Sequence, residues 1–355
     1  RPEICEVLGR DFWCTDERNR SWTRTRRNYR CERIHLMKKV LVVGGAGYIG
    51  AHVAFELLNE GYGVRIYDDF SNGLHRRVDG KFRDVVEGDI LDREKLIEAM
   101  QGIDAVIHLA AKKAVEESVK NPLKYYENNV CGTLNILAAM AATGVKQIVF
   151  SSSAAVYSPN DKAAVEETDA TVPLSPYGAT KLLSEELIST VGSAESISHI
   201  SLRYFNVVGS ALPEFGDNSK DNLVPKVFLA IKEGKRPEIY GTDYPTPDGT
   251  CIRDYIHVLD LAKSHVAALK KTEAGFVSSI YNVGSGNGYS VREMMNQISQ
   301  TLGRDINPQT SPARAGDSPK LIASTKKIEV ELGWKPTSTL KEMIDSSWEA
   351  EKANA

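Results

Sequence analysis

The segment Lys38–Asp69, "KKVLVVGGAGYIGAHVAFELLNEGYGVRIYDD", decides the fold of this chain. It begins with a short β-rich run that leads into glycines at positions 44, 47 and 50, spaced G-x-x-G-x-x-G. The next residues have the apolar spacing of a helix, which we expect to stop at Gly61. A second β-rich run, "VRIYDD", ends at Asp68. The order strand, glycine turn, helix, strand and acid predicts a dinucleotide-binding βαβ unit.

Each part of this unit has a mechanical reason to bind a dinucleotide. Glycines let the backbone approach a pyrophosphate closely, and the helix N-terminus offers unpaired N–H groups with a positive dipole end. Asp68 lies where a carboxylate accepts hydrogen bonds from the ribose hydroxyls of an adenosine. The same charge repels a 2′-phosphate, so we expect NAD(H), and not NADP(H), as the cofactor.

Strands and helices continue to alternate after this unit. We expect strands at "DVVEGD" ending at Asp89, at Asp104–Ala111 and at "QIVFSSS", and one long helix from an Asn121 cap to Gly144. This order predicts an α/β fold, a Rossmann-type doubly wound parallel sheet with ligands at the carboxyl ends of the strands. Ser151–Ser153 lie at such an end.

The back half of the chain predicts a smaller C-terminal α/β lobe that binds the substrate. It contains a helix at "DLAKSHVAALKK", a strand at "SIYNVG" that returns to the sheet, and an amphipathic last helix at "STLKEMIDSSWEAEKA". Ser290 and Glu293 predict a capping box at the start of another helix. A cleft between lobe and sheet is the expected site.

The stretch "SPYGATK", Ser175–Lys181, predicts a catalytic pair. Ser175 and Pro176 are suited to begin a helix, and positions i and i+4 lie on one face, so the Tyr177 hydroxyl and the Lys181 ammonium point the same way. A nearby positive charge lowers a tyrosine pKa by roughly 1–3 units. We therefore expect Tyr177 to act as a base toward a sugar hydroxyl, with Ser153 bonded to that hydroxyl.

Composition excludes several classes of protein. The chain has 355 residues, 42% hydrophobic and 26% charged, with a net charge of −3, which gives no footprint for nucleic acid. Its five cysteines form no CxxC pair, so we expect neither a disulfide framework nor a metal site. No apolar run approaches the roughly 18 residues of a membrane span, and we expect a cytoplasmic protein without membrane partners.

Residues 1–36 differ from the rest of the chain. They contain nine arginines, six acidic residues, two tryptophans and three cysteines, and they show no apolar periodicity. An arginine-rich targeting or RNA-binding arm is one interpretation, although transit peptides contain few acids. We favour a disordered, dispensable extension upstream of Met37.

From Met37 to nearly its end, the chain resembles the extended short-chain dehydrogenase/reductases and, within them, the UDP-glucose (UDP-galactose) 4-epimerases. The motifs that carry the resemblance are "GGAGYIG", "DDFSNG", "VIHLAAKKAVEES", "NPLKYYENNVCGT", "SPYGATK", "LRYFNVVG" and "YGTDYPTPDGTCIRDYIHV". The resemblance implies an NAD-dependent isomerase that interconverts UDP-galactose and UDP-glucose through a transient 4-keto sugar. Tyr177 would be the base, Lys181 its partner and Ser153 the hydroxyl shuttle.

The resemblance also implies the site residues and the organisation of the chain. Implied cofactor-binding positions are Gly44, Gly47, Tyr48, Ile49, Gly50, Asp68, Asn72, Asp89, Ile90, Leu109, Ala110, Lys113, Asn129, Ser151, Tyr177, Lys181 and Phe205. Implied substrate-binding positions are Ser153, Asn206, Asn222, Leu223, Tyr240, Arg253, Arg314, Asp317 and Leu321. The expected NAD-binding domain covers residues 37–205 with a returning segment at about 253–285, and the UDP-sugar lobe covers 206–252 and 286–355. A homodimer is expected from the family.

Two departures from the family pattern leave the substrate open. Glu238 stands where a small residue often lies near the uridine, and Leu321 stands where the family varies between tyrosine and a small residue. Because leucine is intermediate in size, UDP-GlcNAc and UDP-GalNAc stay open as additional substrates. A 4-epimerase of UDP-glucuronate or UDP-xylose and a catalytically inactive NAD-binding regulator are the alternatives. Ala154 and Ala155 disfavour the dehydratases and decarboxylases of this scaffold, which need an acid there.

Overall fold

The computed structural model describes residues 37–158, 162–314 and 317–354. The prediction for residues 1–36 lies outside this described part. The strands are β1 Lys39–Val43, β2 Gly63–Asp68, β3 Val85–Glu87, β4 Ala105–His108, β5 Gln147–Ser153, β6 Ser198–Tyr204, β7 Asn206–Val208, β8 Glu238–Tyr240, β9 Ile252–His257, β10 Ser278–Val283, β11 Gly288–Ser290, β12 Gln309–Ser311 and β13 Lys320–Leu321. The α-helices are α1 Tyr48–Asn59, α2 His75–Val78, α3 Arg93–Ala99, α4 Val115–Lys120, α5 Pro122–Tyr125, α6 Gly132–Thr143, α7 Pro176–Glu195, α8 Leu223–Lys232, α9 Val258–Glu273, α10 Val291–Leu302, α11 Lys326–Leu332 and α12 Leu340–Ala353.

A seven-stranded parallel sheet forms the larger part of the molecule. Its strand order is β10-β6-β5-β4-β1-β2-β3, so the chain runs outward from β1 in one direction, returns, and runs outward in the other. The order reverses beside β1, where a doubly wound sheet opens a crevice for ligands. The predicted α/β Rossmann-type sheet is confirmed.

Two apolar layers cover the faces of this sheet. One layer packs α1 and α9 against it through Val53, Leu57, Leu261 and Val266, all with little or no exposed surface. The other layer packs α3, α6 and α7 through residues such as Leu96, Ile136 and Ile188. Because parallel strands are covered on both faces, only the strand ends are left for ligands.

Smaller sheets follow in the back half of the chain. β9 pairs with β7, β11 and β13, and β12 pairs with β8. A separate apolar cluster lies under α8, α10 and α12 and includes Phe228, Met294 and Ile344. β10 joins the large sheet, as expected for a returning strand, whereas β9 lies in a smaller sheet. The division into an NAD-binding domain and a UDP-sugar lobe stays a prediction.

Two local predictions need correction. The expected single α-helix from Asn121 contains a π-helical stretch, Tyr126–Cys131, between α5 and α6, and the Asn121 side chain makes no capping hydrogen bond. Pro122 nonetheless occupies the first turn, and Gly144 ends the helix in a left-handed conformation. β3 ends at Glu87, so Asp89 lies two residues beyond the strand. Within the described ranges, no helix is both long and apolar enough to cross a membrane.

Candidate active site

The helix α7 brings the predicted catalytic pair to the end of β5. Ser175 caps the helix by accepting a hydrogen bond from the Gly178 N–H at 3.2 Å, and Pro176 occupies its first turn, as predicted. The Lys181 Nζ donates to the Ser151 carbonyl at 2.6 Å, and the Tyr177 hydroxyl is hydrogen-bonded to Ser153. The i, i+4 spacing therefore directs both side chains to the three serines that end β5.

A glycine permits this close contact between helix and strand end. A Cβ on Gly178 would lie 2.3 Å from the carbonyl oxygen of Ala155, a distance that no side chain tolerates. Ser153 is itself held in place, since its Oγ accepts a hydrogen bond from the Ala155 N–H at 3.2 Å. The position of the Tyr177 hydroxyl is thus fixed by backbone contacts on both sides.

The pKa values of Tyr177 and Lys181 differ from the prediction. Burial raises the pKa of Tyr177, and the hydrogen bond to Ser153 opposes that change only in part, so a lowered pKa caused by Lys181 is not observed. Burial lowers the pKa of Lys181 to about 7, with the Glu185 carboxylate acting in the opposite direction. The physical reason is shared: a site that excludes water disfavours both charged forms.

A buried ion pair supports the catalytic helix from behind. Arg203 on β6 donates to Glu185 from Nε at 2.9 Å and from Nη2 at 2.7 Å, and both side chains are 4% exposed. Ser152 donates a short hydrogen bond to the same carboxylate. Arg203 also donates to the Tyr157 hydroxyl, which in turn donates to Asn282. This network is not predictable from the sequence, because its members are far apart in the chain and share no local pattern.

Tyr204 is a second residue that the sequence analysis missed. Its hydroxyl donates a short hydrogen bond to Nε2 of His265, because the Nδ1 of that ring donates to the Leu261 carbonyl at 2.9 Å. Tyr204 also bonds to the Ser151 side chain and lies close enough to Tyr177 for their charges to interact. Its position at the end of β6, next to the predicted cofactor residue Phe205, is the feature of the sequence that could have indicated it.

The glycine turn between β1 and α1 is packed so tightly that only glycine fits. A Cβ on Gly44 would lie 2.6 Å from the Ala110 nitrogen, and one on Gly50 would lie 2.0 Å from the Gly44 carbonyl oxygen. Gly47 is the N-cap of α1 and caps it with no side chain. This leaves the N–H groups of the first turn for a ligand, which suits a pyrophosphate.

Asp68 lies at the end of β2 beside this turn. Its Oδ2 accepts a hydrogen bond from the Ala46 N–H at 2.8 Å and its Oδ1 accepts one from the Phe70 N–H at 2.9 Å. Burial raises its pKa, and those two hydrogen bonds oppose the change. A cavity of about 110 Å³ is lined by Asp68 together with Gly44, Gly47, Asn72, Ile90, Leu109 and Ala110. These residues fit an adenosine with a free 2′-hydroxyl.

The other predicted cofactor residues lie in three places. Tyr48, Ile49, Lys113, Tyr177 and Phe205 line a second, larger cavity. Gly50, Asp89, Ser151 and Lys181 line neither cavity; Asp89 is exposed and the other three are buried. Asn129 also lines neither cavity; it is buried, accepts from the Lys112 N–H at 2.8 Å and donates to the Lys112 carbonyl at 3.0 Å. Their part in binding NAD stays a prediction.

The larger cavity has a volume of about 1530 Å³. It adjoins the cavity of about 110 Å³, the expected adenosine cavity, since Gly47 and Lys112 line one and Tyr48 and Lys113 line the other. All of the predicted substrate positions line it, namely Ser153, Asn206, Asn222, Leu223, Tyr240, Arg253, Arg314, Asp317 and Leu321. The structure therefore gathers residues that are up to 168 positions apart, from Ser153 to Leu321, around one space.

Two arginines project into this cavity near an aromatic ring. The Arg314 guanidinium lies 4.0 Å from the centroid of the Tyr240 ring. Arg253 donates to the Ser318 carbonyl at 2.7 Å and lies 3.6 Å from Asp317. Glu238 accepts from the Tyr240 hydroxyl, so its carboxylate is engaged by the protein itself. Two guanidinium groups in one cavity are suited to a diphosphate.

The described part of the chain contains no group of three or more His, Cys, Asp or Glu side chains that could hold a metal ion. Cys131 and Cys251, which lie within the described residues, are not in a disulfide.

Comparison with known proteins gives one consistent result. Residues 40–284 match the model of the NAD dependent epimerase/dehydratase family. A UDP-glucose 4-epimerase of Corynebacterium glutamicum is 43% identical over 315 residues, which cover 87% of this chain and 94% of that protein. A bifunctional UDP-glucose 4-epimerase and UDP-xylose 4-epimerase of Pisum sativum is 41% identical over 339 residues, 89% of this chain and 96% of that protein.

Solved structures agree with the sequence relatives. A UDP-glucose 4-epimerase from Stenotrophomonas maltophila, crystallised with bound NAD and formylated UDP-arabinopyranose, matches with a TM-score of 0.86 and 38% identity. The match covers 89% of this chain and 98% of that structure. With its glycine turn, its Tyr177–Lys181 helix and these relatives, the chain belongs to the NAD dependent epimerase/dehydratase family.

Proposed function

We propose that this protein is an NAD-dependent isomerase that inverts C4 of a UDP-hexose and thereby interconverts UDP-galactose and UDP-glucose. The observation that carries the proposal is the position of Tyr177, which is bonded to Ser153 in the cavity that adjoins the adenosine cradle. The relatives named UDP-glucose 4-epimerase support it, because this chain matches them over nearly their whole length.

The residues of this chain have distinct parts in the proposed reaction. NAD, when bound, supplies the two-electron acceptor and donor that the sugar carbon needs. Tyr177 takes the proton of the 4-hydroxyl and later returns it, and Ser153 orients that hydroxyl. Lys181, with a pKa of about 7, is partly charged near neutral pH, and its charged form would favour the Tyr177 phenolate, which burial by itself disfavours.

The size of the larger cavity suits a reaction at both faces of one carbon. A volume of about 1530 Å³ exceeds the 300–1,000 Å³ typical of small-ligand pockets. This volume serves the nicotinamide end of NAD as well as the UDP-sugar, and a sugar held only through its diphosphate, by Arg253 and Arg314, would turn about that link to present either face to the cofactor. The arginines line the same cavity as Tyr177, which places the anchor and the base around one substrate.

A direct assay of epimerisation tests the proposal. Purified protein is mixed with UDP-galactose, and the formation of UDP-glucose is followed by anion-exchange chromatography, without added NAD and then with it. We expect conversion to an equilibrium mixture with no net change in total NADH. Protein that retains NAD and binds UDP but converts no UDP-sugar would instead support the inactive regulator.

UDP-xylose is the second candidate substrate. The Pisum sativum relative, at 41% identity, carries both UDP-glucose and UDP-xylose 4-epimerase activity in its name. UDP-xylose lacks the C6 group, so it fits any cavity that admits UDP-glucose. The same assay with UDP-xylose in place of UDP-galactose decides whether this chain shares the second activity.

We also propose that two copies associate through an exposed apolar surface on α5, α6 and α7. Leu123 is 83% exposed, and Tyr126, Leu134 and Leu183 are exposed on neighbouring turns of these packed helices. A two-fold axis would place this surface against the same surface of a second copy and bury it. Light scattering should give twice the chain mass, and Leu123→Asp should give the monomer. A cytoplasmic location stays a prediction that cell fractionation tests.

A further inference from the structure

A fully buried arginine joins the glycine turn to a segment that leads into the larger cavity. Arg77 on α2 is 0% exposed, and its Nη2 donates to the Gly216 carbonyl at 2.6 Å and to Asn218 Oδ1 at 2.8 Å. On its other side, Nη1 lies 3.4 Å from the carbonyl oxygen of Ala46. Arginine is almost never fully buried unless it is paired, so this position needs a reason.

The Arg77 guanidinium stays charged at neutral pH. Burial lowers its pKa to about 10, and the carboxylates of Asp217 and Asp68 act in the opposite direction. Its Nε has no hydrogen-bond partner within the described residues, so desolvation of the group is not fully compensated. Replacing the arginine alone would leave the Gly216 carbonyl and the Asn218 side chain without their donor, so the charged side chain also fixes the segment that carries them.

The contacts of Arg77 continue to the cavity wall. Asp217, between the two residues that Arg77 binds, accepts from Asn222 Nδ2 at 2.6 Å and from the Ser219 N–H at 2.9 Å. Asn222 is the N-cap of α8 and lines the larger cavity together with Leu223. Arg77 therefore fixes residues 216 and 218 by hydrogen bonds, and Asp217 between them is bonded to the side chain of Asn222, a predicted substrate position next to Leu223.

The contacts also continue to the cofactor cradle. The Ala46 carbonyl accepts from the Leu74 N–H at 3.0 Å, while the Ala46 N–H donates to Asp68. Asp68 is the carboxylate that lines the adenosine cavity. Ala46 is thus held by the Asp68 carboxylate, which lines the adenosine cavity. It also lies beside the Arg77 guanidinium, which holds residues 216–218.

We propose that Arg77 is a positioning residue for the UDP-sugar, which holds residues 216–222 against the glycine turn and so couples nucleotide affinity in the larger cavity to the cofactor cradle. This inference rests on the proposed function. A coupling of this kind is reciprocal, so UDP should also slow the release of NAD. The coupling runs through Asp217 and Asn222, and not through the catalytic Tyr177.

The test uses the full chain with its NAD and the variant Arg77→Met, which keeps the length of the side chain and removes its charge. We expect the Kd for UDP, measured by calorimetry, and the KM for UDP-galactose to rise about tenfold or more. The kcat should change by less than about threefold, because Tyr177 and Ser153 are untouched. UDP should no longer slow NAD release in the variant.

Two further variants separate positioning from simple destabilisation. Asn218→Ala removes one partner of Arg77 and should raise the Kd for UDP by a smaller factor, and the double variant should bind no more weakly than Arg77→Met alone. Lys81→Met is the control: it removes a partly exposed ion pair, 2.9 Å long, to Glu214, which lies two residues before Gly216. Its Kd for UDP and its kcat should both equal those of the parent protein.

Three outcomes would overturn the inference. Arg77→Met with unchanged Kd and KM but a lower Tm would assign the arginine to stability alone. If Arg77→Met fails to fold, an unchanged Kd in Asn218→Ala is equally decisive against it. A parent protein that does not bind UDP at all would remove the proposed function as well, whereas normal UDP binding in parent and variants alike removes this inference only.

Discussion

The two cavities of this protein are built in opposite ways. The adenosine cavity, of about 110 Å³, is lined by residues that all lie between positions 44 and 128, and backbone of the glycine turn forms part of its wall. The larger cavity, of about 1530 Å³, collects side chains from Tyr48 to Asn354. One site is set by a local turn, and the other by the packing of distant segments.

This difference determines what each site tolerates. In the glycine turn, atoms approach so closely that a single added carbon meets backbone, as at Gly44 and Gly50. In the larger cavity, long side chains such as Arg314 and Tyr240 contact each other and can adjust. We therefore expect changes in the turn to abolish cofactor binding, and changes in the larger cavity to alter which sugar is accepted.

Tyr177→Phe tests the larger cavity and should give the largest effect. Removal of a general base and its hydrogen bond to Ser153 is expected to lower kcat by about 10³-fold or more, while the protein stays folded and retains NAD. Rate, NAD absorbance after gel filtration, and Tm are the measurements. An active variant would reassign the base to another group, of which Tyr204 is the nearest tyrosine in the hydrogen-bond network.

Gly50→Ala should break the cradle without touching the larger cavity. Alanine favours a helix over glycine by about 1 kcal/mol, so propensity alone predicts a more stable protein. The added Cβ would nevertheless lie 2.0 Å from the Gly44 carbonyl oxygen. This overlap outweighs the gain in helix propensity, so the change should destabilise the turn. We expect loss of most bound NAD, measured as absorbance after desalting.

A matched control for this change is Gly63→Ala at the start of β2. Its Cβ would meet the Lys39 side chain at 3.4 Å, an ordinary contact, and its backbone is not left-handed. NAD content should match the parent protein. If both variants keep their NAD, the cradle is less rigid than the glycine contacts indicate.

The sequence was informative where the structure is local. The glycine spacing and Asp68 predicted β1, α1, β2 and the cradle, because each depends on residues within one βαβ unit. The N-cap Ser175 and the Tyr177–Lys181 spacing likewise predicted where α7 places its two groups. Apart from Tyr177 and Ser153, composition, periodicity and spacing assigned nothing to the larger cavity, whose other predicted residues came from the resemblance.

Other features could not be predicted because they depend on long-range packing. The Glu185–Arg203 pair joins a helix to a strand through burial, and neither residue stands in a distinctive local pattern. The raised pKa of Tyr177 has the same origin, since burial outweighs what helical spacing suggests about Lys181. Arg77 is one of two adjacent arginines, and only its complete burial separates it from Arg76.

Acid should lower the stability of the folded chain. His52 on α1 accepts the Ala211 N–H at 3.0 Å, and burial lowers its pKa to about 3; burial likewise lowers the pKa of His108 to about 3 and of His265 to about 4. A histidine whose folded pKa lies below its unfolded value of about 6.5 favours the native state above pH 6.5. This stability is lost as the pH falls toward the folded pKa.

The expected loss is about 1.4 kcal/mol per pH unit for each of these histidines between pH 6 and pH 4. Urea unfolding at pH 7.5, 6 and 5 measures it. His52→Gln should reduce the slope by about one proton, because glutamine cannot titrate. A free energy of unfolding that stays constant from pH 7.5 to pH 5 would mean that these rings are hydrated.

Leu321→Ala should give the smallest effect and one confined to specificity. Leu321 lies on β13, paired with Arg253 on β9, and its side chain lines the larger cavity. Removing its branched end makes room beside the sugar, and pocket changes of this size alter relative kcat/KM by roughly 10–200-fold. We expect the ratio of UDP-GlcNAc to UDP-glucose turnover to rise about tenfold, with NAD content unchanged.

Leu174→Ala is the control, because Leu174 lines the same cavity but is 65% exposed. Equal ratios in the two variants would place the sugar's second carbon away from β13, and the cavity would then select its substrate through residues other than Leu321.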